Sequence, residues 1–376
     1  MNLTNDNHVI LTLDAGGTNF VFSAYRGGAE IAKPITLASN AHDLDRCLQT
    51  LYSGFEQIGA TLDRPADAIS FAFPGPADYE KGIIGDLPNF RAFNGGVPLG
   101  PMLEEHFGLP VFINNDGNLF AYGEALAGFL PELNRRIVYR GGIKQFRNLV
   151  GLTLGTGFGC GIVLNNVMLA GDNSNDAGIH NTSNTFNTIW NAEESVSTRA
   201  VRRVYAEAAG FAVPDAMMPK EIYDIAAGKA PGNREAALHS FSVFGEALGN
   251  SVANMLTLID GIVVIGGGLA AAWEYFAPAM FREINRRYEQ PSGETYARLS
   301  VKVYDLENED TFGEFALGSV RSLTLPSGNK AVIYDELQRA GVGLSKLSAS
   351  AAIAVGANAF AVQRLNSATN YSASNL

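Results

Sequence analysis

Asp116 follows a short apolar run, Val111-Phe-Ile113, and precedes a helical pattern. A carboxylate at the carboxyl end of a strand stands where open α/β sheets hold their ligands. Ionised, it could take the proton of a substrate hydroxyl as that hydroxyl attacks a phosphoryl group. Asn115 beside it could hydrogen-bond a neighbouring hydroxyl. On position alone, a helix N-cap is the plainer reading of Asp116. Two further stretches suit the phosphate half of such chemistry. Residues 11–18 read Leu-Thr-Leu-Asp-Ala-Gly-Gly-Thr, and residues 152–159 read Leu-Thr-Leu-Gly-Thr-Gly-Phe-Gly. Each is an alternating apolar segment entering a Gly/Thr turn, with a second β-like run after it, so each predicts a hairpin. Glycines let backbone N–H groups approach an anion closely. Two such hairpins, one per half of the chain, suggest two halves closing on a polyphosphate. Asp14 could hold Mg²⁺ through water, with turn capping as its plainer role.

Other signals are weaker. Gly155-Thr-Gly-Phe-Gly-Cys-Gly161 has spaced glycines, but a dinucleotide fingerprint needs a helix directly after them. Here a strand-like run follows. Gly266-Gly-Gly268 does lie between a strand and a helix and could present a helix N-terminus to a nucleotide; a tight turn explains it equally well. No Walker A lysine motif occurs. The five histidines have no metal spacing, and only His180 sits in a polar loop that could line a cleft.

Composition narrows the classes. The 376 residues carry a net charge of −11 and no basic run longer than an Arg-Arg pair, which argues against nucleic acid. No stretch reaches the roughly 18 to 20 apolar residues of a membrane span. Met1–His8 is polar, so no secretory signal is expected. With only Cys47 and Cys160, neither a disulfide framework nor a Cys-rich zinc site is expected. All of this suits a cytoplasmic protein.

The elements that must hold these residues read as α/β. A hairpin covers 9–25, a helix 44–58, a buried strand 68–73, a long loop 77–98, a helix 102–107, a strand 111–113 and a helix 119–129. Residues 130–148 read as an exposed polar excursion. The second hairpin covers 149–170, and a small, polar stretch 171–191 follows. Helices are predicted over 193–209, with Asn191 as cap, and over 236–259. A strand covers 261–265, a helix about 270–288, strands lie within 299–347, and a helix covers 349–365. The last ten residues should fray.

Taken in order, these motifs resemble the ROK family of sugar kinases and repressors, over about residues 9–270 and again at 349–364. Asp14-Ala-Gly-Gly-Thr18 with Asn19 is similar to the family's first phosphate motif, with Gly16 and Gly17 at its turn. Leu154-Gly-Thr-Gly157 matches the second (Gly155, Thr156, Gly157). Gly266-Gly-Gly268, Gly267 at its centre, matches the adenosine motif. Phe73-Pro-Gly-Pro-Ala-Asp78 and Leu87-Pro-Asn-Phe90 are similar to the sugar-side loops, and Asn115-Asp116 to the catalytic pair. Where the family carries Glu-x-Gly-His and then a Cys-rich zinc loop, this chain has Asp176-Ala-Gly-Ile-His180 and no cysteine. Glu193 matches the sugar-binding Glu, His180 only loosely, and Asp176 stands near the missing Glu.

The resemblance implies two actin-like (ribonuclease H-like) α/β domains flanking a cleft, the first over 1–120 plus 349–376, the second over 121–348. It implies an ATP- and Mg²⁺-dependent hexose kinase without zinc. Asp116 would be the base and, together with Asn89, Asn115, Glu193 and His180, would hold the sugar, and the two hairpins and the Gly266 turn would hold ATP. A homo-oligomer, in the first place a dimer, is expected. The alternative is a catalytically weak sugar-sensing regulator or scaffold, motivated by the altered 171–191 loop; a nucleotide-cofactor oxidoreductase is a distant third.

Overall fold

The computed structural model describes residues 3–87, 92–210, 212, 217–328 and 330–373. The chain divides into two compact units. One comprises Met1–Gly128, Gly161–Ala177 and Leu347–Leu376; the other comprises Phe129–Cys160 and Gly178–Lys346. The boundary expected at 120/121 therefore falls inside a helix. Residues 161–177, expected in the second domain, group with the first unit.

The first unit opens with β1 (Ile10–Ala15), β2 (Asn19–Arg26), β3 (Ala29–Glu30) and β4 (Ile35–Ala38). The antiparallel β1–β2 hairpin sets Asp14 opposite Val21 and Ala15 opposite Phe20. Helix α1 (Leu44–Gly59) starts where the Asp43 side chain accepts the Arg46 N–H, replacing a bond that the first helical turn lacks. Its buried face carries Cys47, Leu51, Phe55 and Ile58. Phe55 meets Phe22 edge-on at 5.0 Å. Each such side chain contributes roughly 1.5–3 kcal/mol by burial. Strand β5 (Ala68–Ala72) is buried along its length. The 77–98 segment, expected to be all loop, contains a two-residue pairing of β6 (Ala77–Asp78) with β7 (Ile83–Ile84).

Helix α2 (Leu99–Phe107), β8 (Val111–Asn114) and α3 (Asp116–Leu126) complete this part. The sheet order is β3-β2-β1-β5-β8, with β4 on β2. Because β1, β5 and β8 run parallel, their carboxyl ends bring the Asp14 turn, the Pro74–Pro76 loop and Asp116 to one sheet edge. Ile10–Leu13 of β1, Phe22–Tyr25 of β2 and all of β5 are buried, as strands covered on both faces are.

In the second unit, α4 (Phe129–Tyr139) buries Phe129, Leu130, Leu133 and Ile137. This corrects the expected exposed excursion at 130–148: its apolar residues are spaced three and four apart, so one helical face is dry. Strands β9 (Leu149–Leu154), β10 (Phe158–Leu164) and β11 (Val167–Met168) follow, and the division between the units passes through β10. Helices α5 (Thr198–Ala209), α6 (Pro219–Ala226) and α7 (Arg234–Leu258) lead to β12 (Ile262–Gly266) and α8 (Trp273–Ile284). Then come β13 (Arg287–Glu289), β14 (Thr295–Ala297), β15 (Lys302–Asp305), α9 (Glu309–Leu317), β16 (Val320–Thr324), β17 (Ala331–Asp335) and β18 (Arg339–Leu344). The main sheet runs β11-β10-β9-β12-β18-β15. The helix expected over 270–288 is shorter, because a 3₁₀ turn occupies Gly268–Ala272 and the chain leaves the helix for β13.

The chain returns to the first unit as α10 (Ala349–Ala373). The last ten residues, expected to fray, are helical as far as Ala373. Helix α10 crosses α3 very closely: a Cβ on Gly356 would stand 1.9 Å from the Leu119 carbonyl oxygen, and one on Gly123 2.1 Å from that of Ala352.

Candidate active site

In the first unit, Asn115 is the N-cap of α3: its side-chain oxygen accepts the Gly117 N–H at 2.8 Å. Asp116 is the first helical residue, and its carboxylate accepts the same N–H at 2.8 Å. The plainer reading of Asp116 as the cap is therefore replaced; its neighbour does that work. The first turn of α3 sits tightly on β10, where a Cβ on Gly161 would fall 2.3 Å from the Gly117 carbonyl oxygen.

Asp116 is exposed to solvent on one side, with protein packed around the rest of it. That loss of bulk solvation raises its pKa; the N–H groups of Gly117 and of Asp116 itself pull it the other way. Tyr79 stands beside the pair. Its hydroxyl donates to the Phe73 carbonyl at 2.9 Å, and its backbone N–H donates to Ser174 Oγ at 3.0 Å. Burial pushes the Tyr79 hydroxyl pKa up, a hydrogen bond with Asn115 opposes this, and the charges of Asp116 and Asp176 add to it. Asp176 accepts from Asn118 Nδ2 at 2.8 Å and from the Gly171 N–H at 3.2 Å. Tyr79, Asn114, Asn118 and Asp176 border a cavity of about 710 Å³, to which Asn115 and Asp116 do not contribute.

At the first glycine turn, the Gly16 N–H bonds the Asn19 carbonyl at 3.1 Å. Gly17, Thr18 and Asn19 are exposed, as is Asp14. Ser39 braces the turn: its Oγ donates to the Gly17 carbonyl at 2.7 Å, and its N–H to the Thr18 carbonyl at 2.9 Å. Asn89 lies outside the described residues.

In the second unit, the Gly155 N–H closes the other turn onto the Gly157 carbonyl at 3.1 Å. Here the expected helix over 193–209 is two pieces. Asn191 caps a 3₁₀ turn at Ala192–Glu194, and α5 begins only at Thr198. The break lets this segment grip the turn. The Thr198 N–H donates to the Gly155 carbonyl at 2.9 Å, Arg199 donates to the Thr156 carbonyl at 3.1 Å, and Glu193 Oε2 accepts the Phe158 N–H at 2.9 Å. Arg199 also pairs with Glu193 at 3.0 Å.

Partial burial of Glu193 would raise its pKa. The Phe158 N–H, Arg199 and the charge of nearby His180 outweigh that and hold it below the usual carboxylate range. Gly266–Gly268 lies against the same turn. Gly267 has φ +88°, and a Cβ there would fall 2.4 Å from the Leu154 carbonyl oxygen, so both its conformation and the close approach call for glycine. The first unit thus gathers Asp14–Asn19, Asn115 and Asp116. The second gathers Gly155–Gly157, His180, Glu193 and Gly266–Gly268.

A sequence model of the ROK family matches residues 10–319. The chain belongs to the ROK family. Among ROK relatives, a glucokinase of Thermotoga maritima is 27% identical over 309 residues, 75% of this chain and 89% of that one. The crystal structure of a glucokinase from Parabacteroides distasonis is 52% identical, covers 96% of this chain and 99% of its own, and superposes with a TM-score of 0.87. A ROK glucokinase of Streptomyces griseus, in complex with glucose and AMPPNP, shares the fold at 17% identity, covering 93% of this chain and 98% of that one, with a TM-score of 0.58. The fold is the actin-like one of the ROK sugar kinases, as the order of motifs implied.

Sequence reasoning missed the bracing residues. Tyr79 and Asn118 lie close to sequence motifs and Ser39 lies apart from any, and their partners are up to 95 residues away in sequence. Arg199 was absorbed into a continuous helix. The Ser195-Val-Ser197 run after the two acids, ending in a residue type that favours caps, was the signal that a second helix starts there.

Proposed function

We propose that this ROK-family sugar kinase transfers the γ-phosphoryl group of ATP to a hydroxyl of a free hexose, glucose or an N-acetylhexosamine. The observation that carries the reading is the start of α3, where Asn115 supplies the cap and leaves the Asp116 carboxylate beside solvent with a raised pKa. Asp116 accepts the proton of the attacking hydroxyl. The oxygen–phosphorus bond forms as the bond to the β-phosphate oxygen breaks, and ADP leaves. Asn115, Glu193 and His180 orient the sugar, Asn89 with them. Backbone N–H groups of the turns at Gly16–Asn19 and Gly155–Gly157 face the phosphates, and Gly266–Gly268 the adenosine.

Among the described residues no group of three His, Cys, Asp or Glu side chains could cage a metal. The donor set therefore fits a cation carried in by the nucleotide, with the exposed Asp14 reached through water. A Mg²⁺ held there would supply charge neutralisation at the transferring phosphates.

A coupled ADP-release assay over glucose, mannose, glucosamine and N-acetylhexosamines tests the function. At least one sugar should raise ADP release well above the ATPase background; if none does, a sugar-sensing regulator becomes the better reading. We also propose that the chain needs no structural zinc. A structural site takes four Cys or His ligands, yet the 171–191 loop has no cysteine. Both cysteines are buried elsewhere, Cys47 in α1 and Cys160 in β10. Metal analysis of untagged protein should find far less than one zinc per chain, and a stoichiometric zinc that survives dialysis overturns this. No helix among the described residues is long and apolar enough to cross a membrane. A cytoplasmic enzyme acting as a homodimer, without a nucleic-acid partner, completes the proposal.

A further inference from the structure

Strands β16 and β17 form a two-stranded antiparallel ribbon of their own. Every residue of the two strands except Asp335, at the foot, is exposed. The register faces Leu323 with Val332, Arg321 with Tyr334 and Ser322 with Ile333. One face of the ribbon therefore carries Leu323, Val332 and Tyr334, and the other carries Val320 and Ile333. All five are between 45% and 61% exposed, Ile333 most of all. An isolated two-stranded ribbon is marginal in water, and apolar side chains clustered on bare surface usually mark an interface.

The foot of the ribbon is built to hold it rigid. Arg339 is 1% exposed. Its guanidinium pairs with Asp335 at 2.7 Å and donates to the Leu337 carbonyl at 3.0 Å and to the Phe315 carbonyl. Asp335 in turn accepts the Ser319 N–H at 3.0 Å, and the Glu336 N–H closes the ring onto the Ser319 carbonyl. A buried cation, paired and hydrogen-bonded, thus fixes the direction of a ribbon whose own faces are bare.

Along β17 the stretch Ala331-Val-Ile-Tyr334 carries no charge, proline or glycine; the strand's one charged residue, Asp335 at the foot, is held by Arg339. Natural edge strands are normally guarded by such residues, because an open edge recruits another strand.

We propose that the ribbon is a dimerisation arm, in which β17 pairs antiparallel with β17 of a second copy about a two-fold axis centred on Ile333. A second copy is the occupant because the edge is self-complementary under that axis. The pairing sets Val332 opposite the second copy's Tyr334, an apolar match. It sets Lys330, just before β17, opposite the second copy's Glu336, which already holds Arg321 at 2.6 Å. The inference deepens the homodimer reading and rests on it.

Sedimentation equilibrium at micromolar concentration tests both parts. The native chain should run at twice its 40.1 kDa mass. Ile333→Lys puts two like charges face to face and should give the single-chain mass, with an unchanged circular dichroism spectrum. Ile333→Cys should form a reductant-sensitive dimer under mild oxidation, since Cys47 and Cys160 are buried. If the native chain is a dimer but Ile333→Lys remains one and Ile333→Cys does not cross-link, the arm is wrong and the dimer reading stands. A monomeric native chain overturns both.

Discussion

Asp116→Asn should lower kcat by about 10²- to 10⁴-fold, the usual cost of losing a general base, while sugar affinity changes little. The asparagine keeps the size of the side chain and still accepts the Gly117 N–H. The helix keeps its cap, because that role belongs to Asn115. Stability supplies a second readout. A carboxyl whose pKa is raised on folding binds more protons in the native than in the unfolded state, so native stability falls as pH rises from the unfolded value of about 3.8 toward the raised one. Above that window the cost of an ionised Asp116 is fully present, and asparagine removes it. At neutral pH the variant should therefore melt at the same or a higher temperature, and the advantage should vanish in acid. In the native enzyme the same shift moves the acid limb of the kcat/KM profile, which reports the free enzyme, above that of an ordinary aspartate. Single-turnover ADP release, calorimetric sugar titration and melting curves at two pH values measure all three. Near-native turnover in the Asn variant would mean that Asp116 is not the base.

The chemistry of this chain is local in sequence, which is why much of it could be read there. Asp14-Ala-Gly-Gly-Thr18 and Leu154-Gly-Thr-Gly157 each encode strand, turn and strand within a few residues, and the periodic apolar pattern on either side leaves little choice of element. The order of six such motifs then implied the actin-like fold. What stayed hidden depends on distance. The 161–177 segment follows the second hairpin in sequence, but Gly161 under α3 and Asp176 on Asn118 draw it to the first unit; no local pattern encodes that choice. The Phe129–Ile137 face was overlooked because its charged residues mask a three-and-four spacing. Glu193 looked like the opening of a helix, and only the contact with Phe158 N–H separates a bracing carboxylate from a solvent-facing one.

The α3–α10 crossing gives the other large expected effect, and it can be set against an internal control. Replacing a helical glycine with alanine ordinarily stabilises by about 0.5–1 kcal/mol, through the entropy of the unfolded chain. Gly313 in α9 has nothing within 4 Å of the space a Cβ would fill, so Gly313→Ala should gain about that much. Gly356→Ala should do the reverse. Its Cβ would lie 1.9 Å from the Leu119 carbonyl oxygen, a backbone atom that no rotamer change can move. That is far inside the ordinary contact distance of about 3.5–4.0 Å, so the two helices would have to part by more than about 1 Å. Overpacking of this kind costs typically 1–3 kcal/mol, occasionally more, so a net loss of about 2 kcal/mol is expected. Because α3 carries Asn115 and Asp116 at its first turn, kcat should fall as well, while Gly313→Ala leaves it unchanged. Urea unfolding of both variants beside the native chain measures the signs. If Gly356→Ala proves as stable as Gly313→Ala, α10 does not press on α3 as the structure has it, and the rigid seat ascribed to Asp116 loses its support.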